Sequence, residues 1–193
     1  MQSSKLENTI IYLIGVPAVG KYTAAKEIGR LTGATVIDNQ LINTPVFSVI
    51  GYDGKDSFTL PDEAWFHIET IQRAVLAVIR DLCPREQSFI FTSVLDADQP
   101  CDRAWYRRIE RVASHRQARF FPVWLTCDEN TIRSRKNTAE RKMRFKDTDL
   151  STIKWWLEEF EVLKINYPYA LTLDTSRAEP HEVATQILSH VAS

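Results

Sequence analysis

Cysteine is scarce in this chain of 193 residues, and Cys83, Cys101 and Cys127 stand far apart. That excludes a disulfide framework and the closely spaced ligand pairs of a zinc site, and it predicts a reducing compartment, the cytoplasm. Six glycines and eight prolines leave no flexible linker and no low-complexity tract. The longest clean apolar run, Ile10 to Ile14 with Val16 beyond Gly15, falls well short of the ~20 residues of a membrane-spanning helix. The opening MQSSKLEN lacks the basic-then-apolar order of a secretory signal. The four histidines (His67, His115, His181 and His190) are scattered and form no metal motif. Net charge is also nearly absent, at −1.

What is present is an ordinary globular composition, 44% hydrophobic and 25% charged, enough apolar surface to offset the entropy of ordering. The length predicts one domain, residues 1–193. Along the chain, apolar runs alternate with helical periodicity. Thr9–Ile14, Ala34–Ile37, Ser88–Leu95, Phe120–Thr126 and Ala170–Leu173 read as strands. Lys21–Leu31 reads as a helix closed by Gly33, and Asn39–Ile50 as a helix that Pro45 interrupts. Pro61 opens a long helix, Asp102–Gln117 forms another, and Asp128 caps the next. Leu150–Ile165 and Pro180–Val191 complete the helical set. Strands separated by helices predict an α/β three-layer sandwich around a five-stranded parallel sheet. The tryptophans and phenylalanines on these helices are predicted to be core.

The most informative segment is Gly15-Val16-Pro17-Ala18-Val19-Gly20-Lys21-Tyr22-Thr23. It begins where the first strand ends and finishes where the first helix begins, the context that separates a phosphate loop from a plain strand-to-helix turn. Glycines at both ends let successive N–H groups point inward, and the helix behind them adds its positive end. Lys21 supplies a mobile charge for the outer phosphates. Thr23 offers a hydroxyl to a phosphate or to a Mg²⁺-bound water. The expected cofactors are therefore ATP and Mg²⁺, with Gly15, Pro17, Ala18, Val19, Gly20, Lys21, Tyr22 and Thr23 around the nucleotide.

This loop resembles that of the adenylate kinases, Gly-x-Pro-Gly-x-Gly-Lys-Gly-Thr. It keeps the first glycine, the proline, the Gly20-Lys21 pair and the final threonine, and departs at Ala18 and Tyr22, which are glycines in that family. The chain is also similar to bacterial proteins grouped as shikimate-kinase-like or AAA-family ATPases. The resemblance implies a P-loop NTPase fold with strand order 2-3-1-4-5.

Charge is segregated. Residues 133–146 carry seven bases against Glu140, and residues 103–119 carry six arginines against Glu110, which leaves the remainder at −12. The second stretch is predicted to be a solvated helix face. The first falls where P-loop small-molecule kinases carry a lid, here residues 133–147. The resemblance implies Arg133 against the nucleotide base, Arg135 and Arg141 on phosphates, and Arg144 and Lys146 behind them. It also implies that Asp174, Ser176 and Arg177 form the turn that contacts adenine, although Asp174 is equally a turn residue. Asp38 ends the second strand, where ligands gather in such sheets. It serves either as the carboxylate that takes a proton from the acceptor hydroxyl, as in the shikimate and gluconate kinases the chain resembles, or as a helix cap. The third strand ends in Thr92 and Ser93, with Asp96 and Asp98 further along, so the metal-binding acid is unassigned. Residues 44–60 are the predicted acceptor-side flap.

The expected function is transfer of the γ-phosphoryl of ATP to a small acceptor, with Lys21, Asp38, Arg135 and Arg141 as the catalytic set. A nucleotide-binding switch or weak NTPase with a protein partner is the second reading, and a nucleic-acid end kinase the third. Neither the acceptor nor the oligomeric state follows from these residues.

Overall fold

A computed structural model describes residues 6–53 and 60–193 of the chain. Residues 54–59 of the predicted flap lie outside the described residues.

Five parallel strands form one sheet: β1 (Thr9–Ile14), β2 (Thr35–Ile37), β3 (Phe89–Ser93), β4 (Arg119–Thr126) and β5 (Leu171–Asp174). Their order is β2-β3-β1-β4-β5, as expected. β1 lies centrally, pairing Ile10–Ile14 with Phe89–Ser93 and Thr9–Ile14 with Arg119–Trp124. All six of its residues are buried. Alternation splits them between two cores, each buried aliphatic side chain contributing roughly 1.5–3 kcal/mol. Ile10, Tyr12 and Ile14 face helices α2 (Asn39–Ile50), α3 (Asp62–Asp81) and α4 (Pro100–Arg116). Ile11 and Leu13 face α1 (Lys21–Thr32) and α7 (Pro180–Ala192). Two short helices, α5 (Glu129–Lys136) and α6 (Ala139–Met143), follow β4. No helix among the described residues is long and apolar enough to cross a membrane.

Three local expectations are corrected. Pro45 does not interrupt α2, which runs unbroken from Asn39 to Ile50. The hydrogen bond it forfeits is to Leu41, on a face where Leu41 is 58% exposed and water can replace it. As a result residues 44–50 of the predicted flap are helix. Leu150–Ile165 is not one helix. A 3-10 turn at Leu150–Thr152 and a π turn at Trp155–Glu159 give way to extended chain, where Val162 bridges Asp96 antiparallel. The aromatic triad of Trp155, Trp156 and Phe160, with ring centroids 4.7 to 5.4 Å apart, gathers the helical-looking apolar residues into a compact knot. Beyond it Ala97 and Leu163 donate their N–H groups to Glu161 and Leu95 in sheet-like fashion. Third, not every helical aromatic is core: Trp65 is 42% and Phe66 68% exposed. Pro122 is tolerated in β4 because β5 pairs only from Val123 onward.

Candidate functional site

The carboxyl ends of β1, β2 and β3 open into a cleft of about 1030 Å³. One wall is the Gly15–Thr23 loop. Gly15 has φ 154°, and a Cβ there would lie 2.4 Å from the Leu125 carbonyl oxygen. Gly20 caps α1 in the left-handed region at φ 94°, with no side chain occupying the helix end. The first amides of α1 therefore have no intrahelical partner, an arrangement that suits an anion. Ala18 is also left-handed, at φ 69°, where a glycine would fit more easily. The Lys21 ammonium folds back onto the Gly15 and Val16 carbonyls at 2.7 and 2.9 Å. Burial, with the charges of Lys146 and Arg141, pushes it well below the ordinary lysine range. Thr23 is exposed at the rim of the same cleft.

Opposite this loop stands Asp38, 3% exposed at the end of β2. Its side chain does not cap α2. Thr92 does that work: its hydroxyl accepts the Asn39 N–H at 3.2 Å and donates to Asp38 Oδ1 at 2.6 Å. Asp38 Oδ2 receives Arg144 at 2.6 Å and lies 3.3 Å from Lys146. These two cations come from a chain segment more than a hundred residues away. Phe145 between them is left-handed at φ 50°, a strained conformation for a bulky residue. Its ring is packed against the first core, and the kink turns both neighbours toward Asp38.

Tyr22 unites the two walls. Its ring lies 3.6 Å from the Arg144 guanidinium carbon and 4.5 Å from the Lys146 nitrogen. The phenol that departs from the adenylate kinase pattern is thus a platform for the Arg144 and Lys146 cations. Arg141 lines the cleft and hydrogen-bonds the Asp147 carbonyl at 2.8 and 3.2 Å. Arg135 lies along the phosphate loop, its Nη1 3.7 Å from where a Gly20 Cβ would be. It is held there by Thr175, with contacts of 3.2 Å to the hydroxyl and 3.0 Å to the carbonyl. Thr175 in turn donates to the Val19 carbonyl at 2.8 Å.

The remaining expected residues lie elsewhere. Arg133 is exposed and paired with Glu129 at 2.7 Å. Asp174, Ser176 and Arg177 line a shallow recess of about 610 Å³ with Asp128, Ala178 and Glu182, adjoining the cleft at Ala178. There Asp174 accepts the Ser176 N–H at 2.8 Å, a turn contact that with the Ser176 hydroxyl holds its carboxyl below the usual range. At the end of β3 the hydroxyls are already engaged: Thr92 by Asp38, and Ser93 by Tyr12 at 2.8 Å and Trp105 at 3.3 Å. Asp96 lines the cleft further along. No group of three potential metal-ligating His, Cys, Asp or Glu residues occurs among the described residues.

Sequence reasoning assigned no role to Thr92, Thr175, Lys136 or Asp147. Lys136 is fully buried and pairs with Asp147 at 2.8 Å. The same carboxylate accepts Trp156 Nε1 at 2.9 Å. The only signal for Lys136 was a lysine at the end of a short helix, indistinguishable from a solvated one.

A family model described as an AAA domain matches residues 10–163. No curated protein matches the chain in sequence. Among solved structures it is similar to a sugar kinase from Janibacter sp. HTCC2649 (17% identity, 96% of this chain and 95% of that one, TM-score 0.62). It is also similar to a gluconokinase from Sinorhizobium meliloti 1021 (14%, 97% and 93%, 0.60). A thymidylate kinase from Candida albicans shares the architecture (17%, 96% and 92%, 0.61). At these identities the likeness is one of fold, that of the P-loop kinases.

Proposed function

The chain belongs to the AAA-domain family, and from that premise we propose that it is an ATP-dependent phosphotransferase acting on a small-molecule acceptor. One observation carries the reading: an anion-binding loop and a buried carboxylate face each other across one cleft, with Arg141, Arg144 and Lys146 between them.

The residues fit a nucleotide triphosphate. The loop amides and the α1 end bind the phosphates, and Lys21 exchanges its two carbonyl partners for phosphate oxygens. Arg135, braced by Thr175, lies along the same loop. Arg141 and Arg144 supply the positive charge that a loose phosphoryl transition state requires. Asp38 Oδ1 accepts one hydrogen bond, from Thr92, and keeps a second lone pair for an acceptor hydroxyl. Magnesium, when bound, neutralises charge between the outer phosphates. The Thr23 hydroxyl is its candidate protein ligand, since Thr92 and Ser93 stand at the end of β3 with their hydroxyls committed. Adenine contacts from Asp174 to Arg177 belong to this reading, the turn lining a recess that shares Ala178 with the cleft, and a base contact from Arg133 requires that it leave Glu129.

Lys21→Ala is expected to abolish ADP formation while circular dichroism shows an unchanged fold. ATP consumption equal to that of the parent protein would refute the reading. The end of β3, with hydroxyls rather than a carboxylate, favours a nucleotide-binding switch as the second reading. Tight ATP binding in calorimetry, with no acceptor in a metabolite panel stimulating ADP release, would select it.

A further inference from the structure

The far end of the cleft, away from the phosphate loop, has a chemistry of its own. Its walls are α2, the start of α3 and the segment from β3 into α4. Among the described residues there, the cleft is lined by carboxylates, amides and aromatics, with no lysine or arginine. Asp62, Asp96 and Asp102 all line it. Asp96 and Asp102 are neighbours: Asp102 Oδ2 accepts the Asp96 N–H at 2.8 Å. Burial raises the Asp102 carboxyl to about 6.

Gln40 lines the same cleft at 8% exposure, and its Oε1 is buried with no hydrogen-bond partner. Such an orphan is costly unless a ligand completes it, and the last torsion of a glutamine turns easily. Carboxylates and an amide oxygen all ask for donors. The aromatic side of the cleft is Phe47, with Tyr52 at 4.7 Å and Trp65 at 6.2 Å in a T-shaped contact. Trp65 is 42% exposed at the start of α3, a position where a flat apolar ligand face replaces water at low cost.

We infer that the acceptor is a hydroxyl-rich molecule with one apolar face, uncharged or carrying an ammonium group, and without phosphate or carboxylate. This rests on the phosphotransferase reading and narrows it. The phosphate or carboxylate of an anionic acceptor offers no donor to Asp96, Asp102 or Gln40, and at this end of the cleft it meets like charge in a partly desolvated site. Of the cleft's cations, Lys21 and Arg135 stand along the phosphate loop, and Arg144 and Lys146 are already committed to Asp38.

The test pairs compounds by charge. ADP release is measured with ATP and neutral sugars, polyols, nucleosides and amino sugars, each beside its phosphorylated or carboxylated counterpart. Stimulation confined to the uncharged or ammonium-bearing members is expected, and comparing those two groups tells which source of donors the site takes. Asp96→Asn and Asp102→Asn are expected to raise acceptor KM by about tenfold with ATP affinity unchanged. A readout independent of turnover is alkylation of Cys101, which is exposed beside Asp102 in the same cleft; it slows when the acceptor is bound. Stimulation by an anionic member overturns the inference while leaving the phosphotransferase reading intact. ATP binding with no stimulation by any member of the panel overturns the inference too, and selects the switch reading. Failure to bind ATP at all overturns both.

Discussion

Two stretches of this chain are similarly rich in basic residues, six in 103–119 and seven in 133–146, and are used in opposite ways. Along α4 and into β4, Arg107 pairs with Glu110 at 2.7 Å and Arg108 with Glu69 at 2.5 Å. Arg119 donates to the Val191 carbonyl at 2.8 Å. Arg116 is buried at 5% exposure and donates to the carbonyls of Ile79, Cys83, Pro84, Arg85 and Gln87, stapling the end of α3 to the approach to β3. In residues 133–147, by contrast, Arg144 and Lys146 converge on a single buried carboxylate and a single ring. Charge density along the sequence is the same in kind. What differs is whether the acceptors are spread over several carboxylates and backbone carbonyls or gathered in one buried side chain, Asp38. Dispersed pairs neutralise charge, whereas convergent cations leave positive potential in a cleft.

The contrast is sharpest for Arg144. Arg144→Ala is expected to lower turnover by about 10²–10³-fold, with little change in Tm, whereas Arg107→Ala, breaking an exposed pair, leaves both within error. Equal losses from the two variants, measured by steady-state kinetics, would erase the distinction. Arg116→Ala is expected to cost about 3 kcal/mol of stability in urea unfolding, with kcat per folded molecule unchanged. A smaller effect attaches to the platform between the walls: Tyr22→Leu removes a cation–π contact of about 1 kcal/mol. It is expected to reduce kcat roughly fivefold, with Tyr22→Phe close to the parent. Smallest is a pH effect. Burial, opposed by Asp38 and reinforced by Arg144 and Arg141, pushes the Lys146 ammonium down to about 8. The protonated form attracts phosphate, so ATP affinity is expected to fall a few-fold as pH rises through that value. Lys146→Met is expected to flatten the calorimetric pH profile.

The nucleotide end of the site was legible because its chemistry is local. Gly15, Gly20, Lys21 and Thr23 act through the backbone path between one strand and one helix, and nine consecutive residues hold the pattern. Asp38 was legible only as a carboxylate at a strand end. Its partners Thr92 and Arg144 lie 54 and 106 residues away, so nothing in its own neighbourhood distinguishes a capping residue from one locked in an ion pair. Periodicity misled at Leu150–Ile165 because Trp155, Trp156 and Phe160 satisfy one another in a knot as well as they would along a helix face. The strand runs, in contrast, were readable from β1's unbroken apolar sequence, which only a sheet covered on both sides accommodates.

The Lys136–Asp147 pair joins the two feet of the segment that carries Arg141 and Arg144. With Lys136 fully buried and Asp147 partly so, the ten residues between them form a cassette with fixed anchor points. A cassette of another length or sequence, grafted between the same two anchors, would inherit its attachment to the body while presenting a different set of cations to the ligand.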